Sequence, residues 1–245
     1  MSDVRSLTIS VIIPTLNEEQ ALPETLRHTL TLGFEEILVV DGGSQDRTMA
    51  HATRLQSQRG QSGAGSSAPR LVLLPSEAGR ATQMNYGAAV CTGDILLFLH
   101  ADTHLPANAS ILIRNALSHR HLVGGRFDVQ FERDHGIRWL ISRLMNLRSR
   151  WSGIATGDQA IFVRRSAFES LGGFADVPLM EDIDFSRRLK HLGALVSIRT
   201  KLTTSFRRWE ACGPLRTIFM MWGLRFLYWM GVPPDTLNRH YRAVR

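Results

Sequence analysis

The side chains best placed to do chemistry are acidic residues standing where short apolar runs stop: Asp41 after Glu36 to Val40, and Asp102 after Ile95 to Leu99. Runs this short read as buried parallel strands, and open α/β sheets gather their ligands at the C-terminal ends of such strands. Carboxylate oxygens are hard ligands that suit Mg²⁺ or Mn²⁺. Asp102 thus stands where a metal–diphosphate would be held, the competing reading being a turn aspartate ahead of Pro106. Gly79-Arg80 opens a helical pattern before this strand, and helix N-termini favour anions, so Arg80 is placed to meet a diphosphate unless it only faces solvent. Asn85 lies one turn on and reads as a buttress of that loop. The pair Glu181-Asp182, with Asp184 behind it, offers a proton acceptor; its bland alternative is helix capping, because carboxylates are favoured in a first turn.

These residues need a scaffold, and the same grammar repeated along the chain supplies one. Leu7 to Ile13 is strand-like and ends in Pro14-Thr15-Leu16-Asn17-Glu18-Glu19, while Glu36 to Val40 ends in Asp41-Gly42-Gly43-Ser44-Gln45-Asp46. A helical pattern follows each, with Leu22, Leu26 and Leu30 on one face of the first and Ser44 or Asp46 available to cap the second. Leu71 to Leu74 is a further strand and leads into Gly79-Arg80. The order βαβαβαβ predicts a doubly wound, mostly parallel α/β sheet over roughly the first 105 residues. The simplest organisation of the 245 residues is one domain over 1–213, with halves 1–105 and 106–213, followed by a C-terminal helical extension over 214–245.

Val11-Ile-Ile-Pro-Thr-Leu-Asn-Glu-Glu19, Val39-Val-Asp-Gly-Gly-Ser-Gln-Asp-Arg-Thr48, the Gly79 to Asn85 helix start, His100-Ala101-Asp102 and Met180-Glu-Asp182 together resemble the ordered motifs of family 2 glycosyltransferases with the GT-A fold. Gly157-Asp-Gln-Ala-Ile-Phe-Val-Arg164 and Leu179-Met-Glu-Asp-Ile-Asp-Phe-Ser-Arg-Arg188 are most similar to a compact subgroup associated with radical-SAM and selenodomain proteins. The resemblance implies a Rossmann-like nucleotide-binding half joined to an acceptor half. It implies a nucleotide-sugar donor bound by Pro14, Thr15, Asn17, Glu18, Asp41, Gly43, Arg80, Asn85, Ala101 and Asp102. It also implies a divalent cation on Asp102, and Asp182 as the base of an inverting transfer with Glu181 beside it.

Asp158, Gln159, Arg208 and Trp209 are the implied acceptor contacts. Arg208-Trp209 is similar to an Arg-Trp pair of processive relatives, although residue 205 is serine where those have glutamine. The family usually has an acidic residue at His100, which leaves that histidine as a ligand to Mn²⁺, a sugar contact or a plain strand-end residue. A second acidic residue is usual at Gly42, so the base of the nucleotide stays open.

Composition fits an ordinary folded domain, with 44% hydrophobic and 21% charged residues. Cys91 and Cys212 form no metal spacing or disulfide framework and no apolar leader opens the chain, which points to a reducing, cytoplasmic setting. Ser57 to Pro69 has almost nothing to bury and reads as a flexible surface loop. From Arg199 to Arg245 there are nine Arg or Lys against two Asp or Glu, a surplus equal to the whole chain's +7. That surplus surrounds the aromatic-rich run Leu215 to Val232, in which a central Arg225 argues against a membrane span. The expectation is peripheral contact with the inner face of an anionic membrane, set against simple packing on the domain.

His135 to Trp151, with Ile137, Leu140, Ile141 and Leu144 in a stripe and Arg138, Arg143, Arg148 and Arg150 nearby, is a second candidate to cover an acceptor groove or touch headgroups. Nucleic-acid binding is disfavoured because no recognition module accompanies the basic residues. The expectation is a metal-dependent transfer of one sugar to a hydroxyl-bearing acceptor, a lipid-linked one included. A sugar-nucleotide nucleotidyltransferase would need a Gly-rich loop after the first strand, and Pro14-Thr15-Leu16-Asn17 is not one. A non-catalytic, membrane-associated binding protein on the same fold is the remaining alternative.

Overall fold

A computed structural model of the chain describes residues 7–61 and 68–244, and leaves the side chains of Arg208, 60–61 and 240–244 undescribed. Four parallel strands form one half of an eight-stranded sheet: β1 (Ile9–Thr15), β2 (Glu36–Asp41), β3 (Arg70–Pro75) and β4 (Ile95–Phe98). The helices α1 (Leu22–Thr29), α2 (Thr48–Gln61) and α3 (Arg80–Val90) connect them in the expected alternation. The sheet continues through β5 (Thr103–His104), β6 (Leu122–Phe131), β7 (Phe162–Arg164) and β8 (Ala194–Thr204), in the order β3-β2-β1-β4-β7-β6-β8-β5. β7 runs antiparallel to both β4 and β6, and β5 antiparallel to β8. The first half is therefore the doubly wound unit and the second is mixed.

Alternation along the strands builds two cores. Ile9, Val11, Ile13, Ile95 and Leu97 face one way and pack with Leu22, Leu26 and, from α4 (Ala109–Leu117), Ile113. Ile12, Leu38, Val40, Leu96 and Phe98 face the other and pack on Met84 of α3, on Phe168 of α6 (Arg165–Ser170), and on Phe185 and Leu189 of α7 (Glu181–Leu192). Helices on both faces explain why every residue of β2 is buried.

One expectation changes. Residues 57–61 close the α2 helix instead of opening a loop, and of the expected loop 62–67 lie outside the described residues. The apolar stripe on α5 (Ile137–Ser152) is turned outward: Ile137, Leu140 and Leu144 are exposed, with only Ile141 buried. The inward face is polar, because the backbone of β6 needs partners there. The Asn146 amide accepts from the Val129 N–H and donates to its carbonyl, both at 2.8 Å, and the Ser149 hydroxyl accepts from Arg126 Nε at 2.8 Å.

A short helix α8 (Arg207–Cys212) follows β8, and the extension forms α9 (Pro214–Trp229) and α10 (Pro234–Val244). Met220, Met221 and Leu224 of α9 pack with Leu237 on Leu179, Met180 and Ile183, directly behind the start of α7. Packing on the domain is one role of this run, while Phe219 (71% exposed) and Trp229 (73% exposed) point outward. Among the described residues no helix is long and apolar enough to cross a membrane.

The ends of β1 and β2 are tied by one side chain of α3. Gln83, buried, donates from Nε2 to the carbonyls of Thr15 (2.8 Å) and Val40 (2.7 Å). Replacing it by methionine of similar volume should cost about 1–3 kcal/mol, the usual result of removing one partner from buried polar groups. Urea unfolding followed by circular dichroism would read this, and an unchanged midpoint would show that the strand ends hold without it.

Candidate active site

Two loops at the C-terminal edge of the parallel strands are laced together by short polar side chains. Asp41 turns back on its own loop: Oδ2 accepts from the Gly43 and Ser44 N–H groups at 3.1 and 3.0 Å, and Oδ1 from the Ser44 hydroxyl at 2.5 Å. Ser44 Oγ in turn accepts from Asn17 N–H at 2.9 Å, and Asn17 Oδ1 accepts from Gln45 N–H at 2.8 Å. Asn17 adopts φ +56°, a conformation that asparagine tolerates better than most residues. The Thr48 hydroxyl accepts from Glu18 N–H at 2.8 Å, and Asp46 Oδ1 accepts from Thr48 N–H at 2.9 Å as the expected cap of α2. A Cβ on Gly42 would come within 3.1 Å of the Gln83 amide and 3.2 Å of Ala78 Cα, so a side chain there would need its neighbours to give by a few tenths of an ångström.

Pro14, Thr15, Asn17, Glu18, Arg80, His100, Ala101, Asp102, Asp158, Glu181, Asp182 and Trp209 line one cleft of about 1710 Å³. Asp41, Gly43, Asn85 and Gln159 do not line it. Asn85 Nδ2 donates to the Phe174 carbonyl and its Oδ1 accepts from Phe174 N–H, both at 2.9 Å, so it braces the segment after α6 and not the Gly79-Arg80 loop it was expected to support. Gln159, read as an acceptor contact, is 0% exposed and accepts through Oε1 from Ser149 Oγ (2.6 Å) and Thr156 N–H (3.1 Å). It holds the 3₁₀ turn Gly157–Gln159 from below.

Arg207, which the sequence did not single out, reaches the donor-side acids: its Nη2 lies 3.1 Å from Glu18 Oε2 and 3.6 Å from Asp102 Oδ2. Burial pushes the Glu18 carboxyl above its ordinary value, Arg207 opposes that, and Asp102 adds to it. Proximity to Arg208-Trp209 was the one signal in the sequence that could have found Arg207. The Arg208 side chain lies outside the described residues, while Trp209 stacks on Phe206 at 5.9 Å between ring centroids.

Among the described residues no three His, Cys, Asp or Glu side chains converge to hold a metal unaided. Asp102 and Glu18, brought to one guanidinium, form a small oxygen donor set of the kind that suffices when phosphate oxygens and water complete the shell. His100 is directed elsewhere. Its Nε2 meets Arg80 Nη2, and because a guanidinium only donates, that imidazole lone pair is taken.

Arg80 also pairs with Glu181, Nη1 to Oε1 at 3.4 Å, so α3, the end of β4 and α7 meet at one cation. Asp182 is anchored by Gly157 N–H on Oδ2 at 2.8 Å and by Ile183 N–H on Oδ1 at 2.7 Å. A Cβ on Gly157 would lie 2.5 Å from His100 Nε2 and 2.7 Å from Arg80 Nη2, so any side chain there would have to displace the ends of both. Burial pushes the Asp158 carboxyl up, with a hydrogen bond from Thr156 and the charge of Arg148 opposing.

Fold and site together define the class, an α/β protein of the GT-A glycosyltransferase type. Solved structures of similar fold include the mannosyltransferase PcManGT from Pyrobaculum calidifontis in complex with GDP-Man and Mn²⁺ (TM-score 0.62, 21% identity, 82% of this chain and 57% of that chain). TarS 1–349 from S. aureus is another (TM-score 0.61, 16% identity, 88% and 66%).

The chain belongs to glycosyl transferase family 2, whose profile matches residues 10–172. Curated relatives include the undecaprenyl-phosphate 4-deoxy-4-formamido-L-arabinose transferase of Pseudomonas aeruginosa, 35% identical over 174 residues (66% of this chain, 49% of that protein). The probable glycosyltransferase YdaM of Bacillus subtilis is 28% identical over 207 residues (76% and 47%). The chain spans about half the length of these relatives.

Glu181 is 4% exposed, and burial pushes its carboxyl above the ordinary range, with Arg80 opposing and Asp182 adding to the shift. A folded-state value above the unfolded one means that its contribution to stability is complete below the unfolded value and is lost as pH rises through the folded one. Glu181→Gln should therefore raise Tm at about pH 8 and leave it near wild type at about pH 4, around the ordinary glutamate value. A lower Tm for the variant at the higher pH would show that the Arg80 pair outweighs desolvation.

Proposed function

We propose that the protein transfers one sugar from a nucleotide-sugar donor to a hydroxyl of a lipid-linked acceptor, with inversion at the anomeric carbon and with Mg²⁺ or Mn²⁺. The observation that carries this reading is the sharing of one cleft by the donor-side set Glu18, Asp102 and Arg80 and the anchored carboxylate Asp182. Asp102 and Glu18 would hold the cation, which when bound neutralises charge growing on the diphosphate. Arg80, at the first turn of α3, would add its charge and the helix N-terminus on the same side.

The acceptor oxygen attacks the anomeric carbon as the bond to the diphosphate breaks, the nucleoside diphosphate leaves with the electron pair, and Asp182 takes the hydroxyl proton. Two N–H donors fix the orientation of Asp182 without a side-chain ion pair of its own among the described residues, which leaves it free to accept. Glu181 positions Arg80, and Asp158 and Trp209 are the acceptor-side contacts we retain. The subgroup associated with radical-SAM proteins remains our reading of the motifs at 157–164 and 179–188.

A lipid-linked acceptor and a peripheral, inner-face membrane location draw support from the exposed apolar face of α5 and the outward aromatics of α9, which flank the same cleft. Trp151, at the end of α5, is 90% exposed. A relative named for undecaprenyl phosphate is in keeping with this. Apolar patches beside basic residues favour anionic bilayers.

Asp182→Asn should lower transfer by about 10²–10⁴-fold with little change in nucleotide affinity, whereas Asp102→Asn should abolish the Mn²⁺ dependence of nucleotide binding. Calorimetry with UDP, GDP, dTDP and CDP, with and without Mn²⁺, finds the donor base and checks Asp102. Metal-independent binding of every nucleotide by the wild type would sink the cation role, and undiminished transfer by the Asp182 variant would move the base elsewhere.

Sedimentation with anionic vesicles tests location. Binding should fall on raising salt and on replacing Phe219, Trp222 and Trp229 by serine. Undiminished binding by that variant would leave packing as the only role of α9.

A further inference from the structure

The backbone that anchors Asp182 is itself gripped by one buried side chain. Gly157 N–H, which donates to Asp182 Oδ2 at 2.8 Å, belongs to the peptide plane that joins Thr156 to Gly157. Gln159 holds Thr156 from both sides. Its N–H donates to the Thr156 carbonyl at 2.9 Å, the other end of that same plane, and its Oε1 accepts from Thr156 N–H at 3.1 Å. Together with the Thr156 side chain this is a reciprocal capping box around the 3₁₀ turn. Oε1 also accepts from the Ser149 hydroxyl at 2.6 Å, and Arg126 Nε donates to that hydroxyl at 2.8 Å, so the grip is referred back to α5 and β6.

The turn is costly in two ways. Thr156 N–H can only donate, which obliges Gln159 to face it with Oε1 and leaves Nε2 shielded from solvent without an acceptor. Ala160, the next residue, stands at φ +48°, a conformation that side chains other than glycine and asparagine seldom adopt. An apolar residue of the same size would fill the space without the unpartnered amide, so packing does not account for glutamine here. Local cost of this kind, beside a cleft, marks a backbone held for a purpose.

We propose that Gln159 is the positioning residue of Asp182: it holds the Thr156–Gly157 peptide plane at the angle at which its N–H meets Oδ2, and so sets where the carboxylate points. The inference rests on the reading of Asp182 as the base. Gln159 is wholly buried, does not line the cleft and acts only through the backbone.

Gln159→Met keeps the volume and removes Oε1, Gln159→Asn withdraws the oxygen by one methylene, and Gln159→Glu keeps it and puts a second oxygen where Nε2 has no partner. Amide hydrogen exchange followed by NMR reads the anchor directly. Gly157 N–H should be protected in the wild type, and Gln159→Met or Gln159→Asn should speed its exchange by about tenfold or more, the worth of one hydrogen bond to a charged group. Amides of β7 and α7 should not change, and Gln159→Glu should stay within about threefold of the wild type. Hydrolysis of UDP-glucose or GDP-mannose, with water as the acceptor, supplies the kinetic reading. There Gln159→Met should lower kcat by about tenfold or more with KM within about twofold of the wild type, and Gln159→Glu should restore the rate.

Unprotected Gly157 N–H in the wild type overturns the proposal before any variant is made. Equal acceleration across β7 and α7 overturns it too, as general loosening, and so does a Gln159→Glu variant no better than the other two. If Gln159→Met fails to fold, Gln159→Asn carries the comparison, and if neither sugar nucleotide is turned over, exchange decides alone. Full turnover by Asp182→Asn, with Gly157 exchange still governed by residue 159, sinks Asp182 as the base and leaves Gln159 as the brace of its carboxylate. Turnover lost in Asp182→Asn but kept in Gln159→Met and Gln159→Asn sinks the positioning role alone.

Discussion

The cation of Arg80 is the interaction on which the site depends. It sits in the first turn of α3, donates to the His100 ring at the end of β4, and pairs with Glu181 in the first turn of α7. Glu181 is nearly closed to solvent, and a carboxylate there without a counter-charge would take a proton or push the helix outward. Holding Glu181 fixes the start of α7, and with it Asp182, whose Oδ2 faces the backbone of Gly157. The absence of a side chain at Gly157 is part of the same constraint, because His100 and Arg80 fill the space a Cβ would need.

The second half of the molecule inverts the usual rule for a surface helix. α5 spends its inward face on hydrogen bonds, with Asn146 satisfying both backbone groups of Val129, and so its apolar residues are left outside. β6 has a local register shift between Phe127 and Asp128. A polar side chain under such an irregular stretch supplies partners that the ladder does not. α9 differs, burying one apolar face behind Met180 and exposing another. Two helices with outward apolar faces beside one cleft give the second half of the molecule an exposed apolar surface.

Much of the first, parallel half was legible in the sequence. Strands of four to seven residues, each ending in polar loop residues and followed by a helical period, fix both the alternation and the edge of the sheet where ligands gather. The role of Asp46 as cap follows from local chemistry, and the structure has it so, whereas Asn85 braces the distant Phe174 segment. Gln83 was not found, since nothing in a helical pattern distinguishes a buried glutamine that bonds two distant carbonyls from one that faces water. Arg207 was missed for a similar reason: its partners Glu18 and Asp102 lie far away along the chain.

The sequence by itself determined the order of elements, the parallel first half and the residue types at the strand ends, because these depend on periodicity and on neighbours within a few positions. Tertiary structure alone decided which side chains face the cleft. Gln159 and Asp158 are adjacent in sequence, yet the turn that carries them sends the first inward to Ser149 and leaves the second at the cleft. The direction of the α5 stripe was likewise undecidable locally, since an apolar face reads the same whether it meets a core or an exposed surface. What chose between them was the demand of a distant strand for hydrogen-bond partners, a long-range condition that no window of the sequence contains.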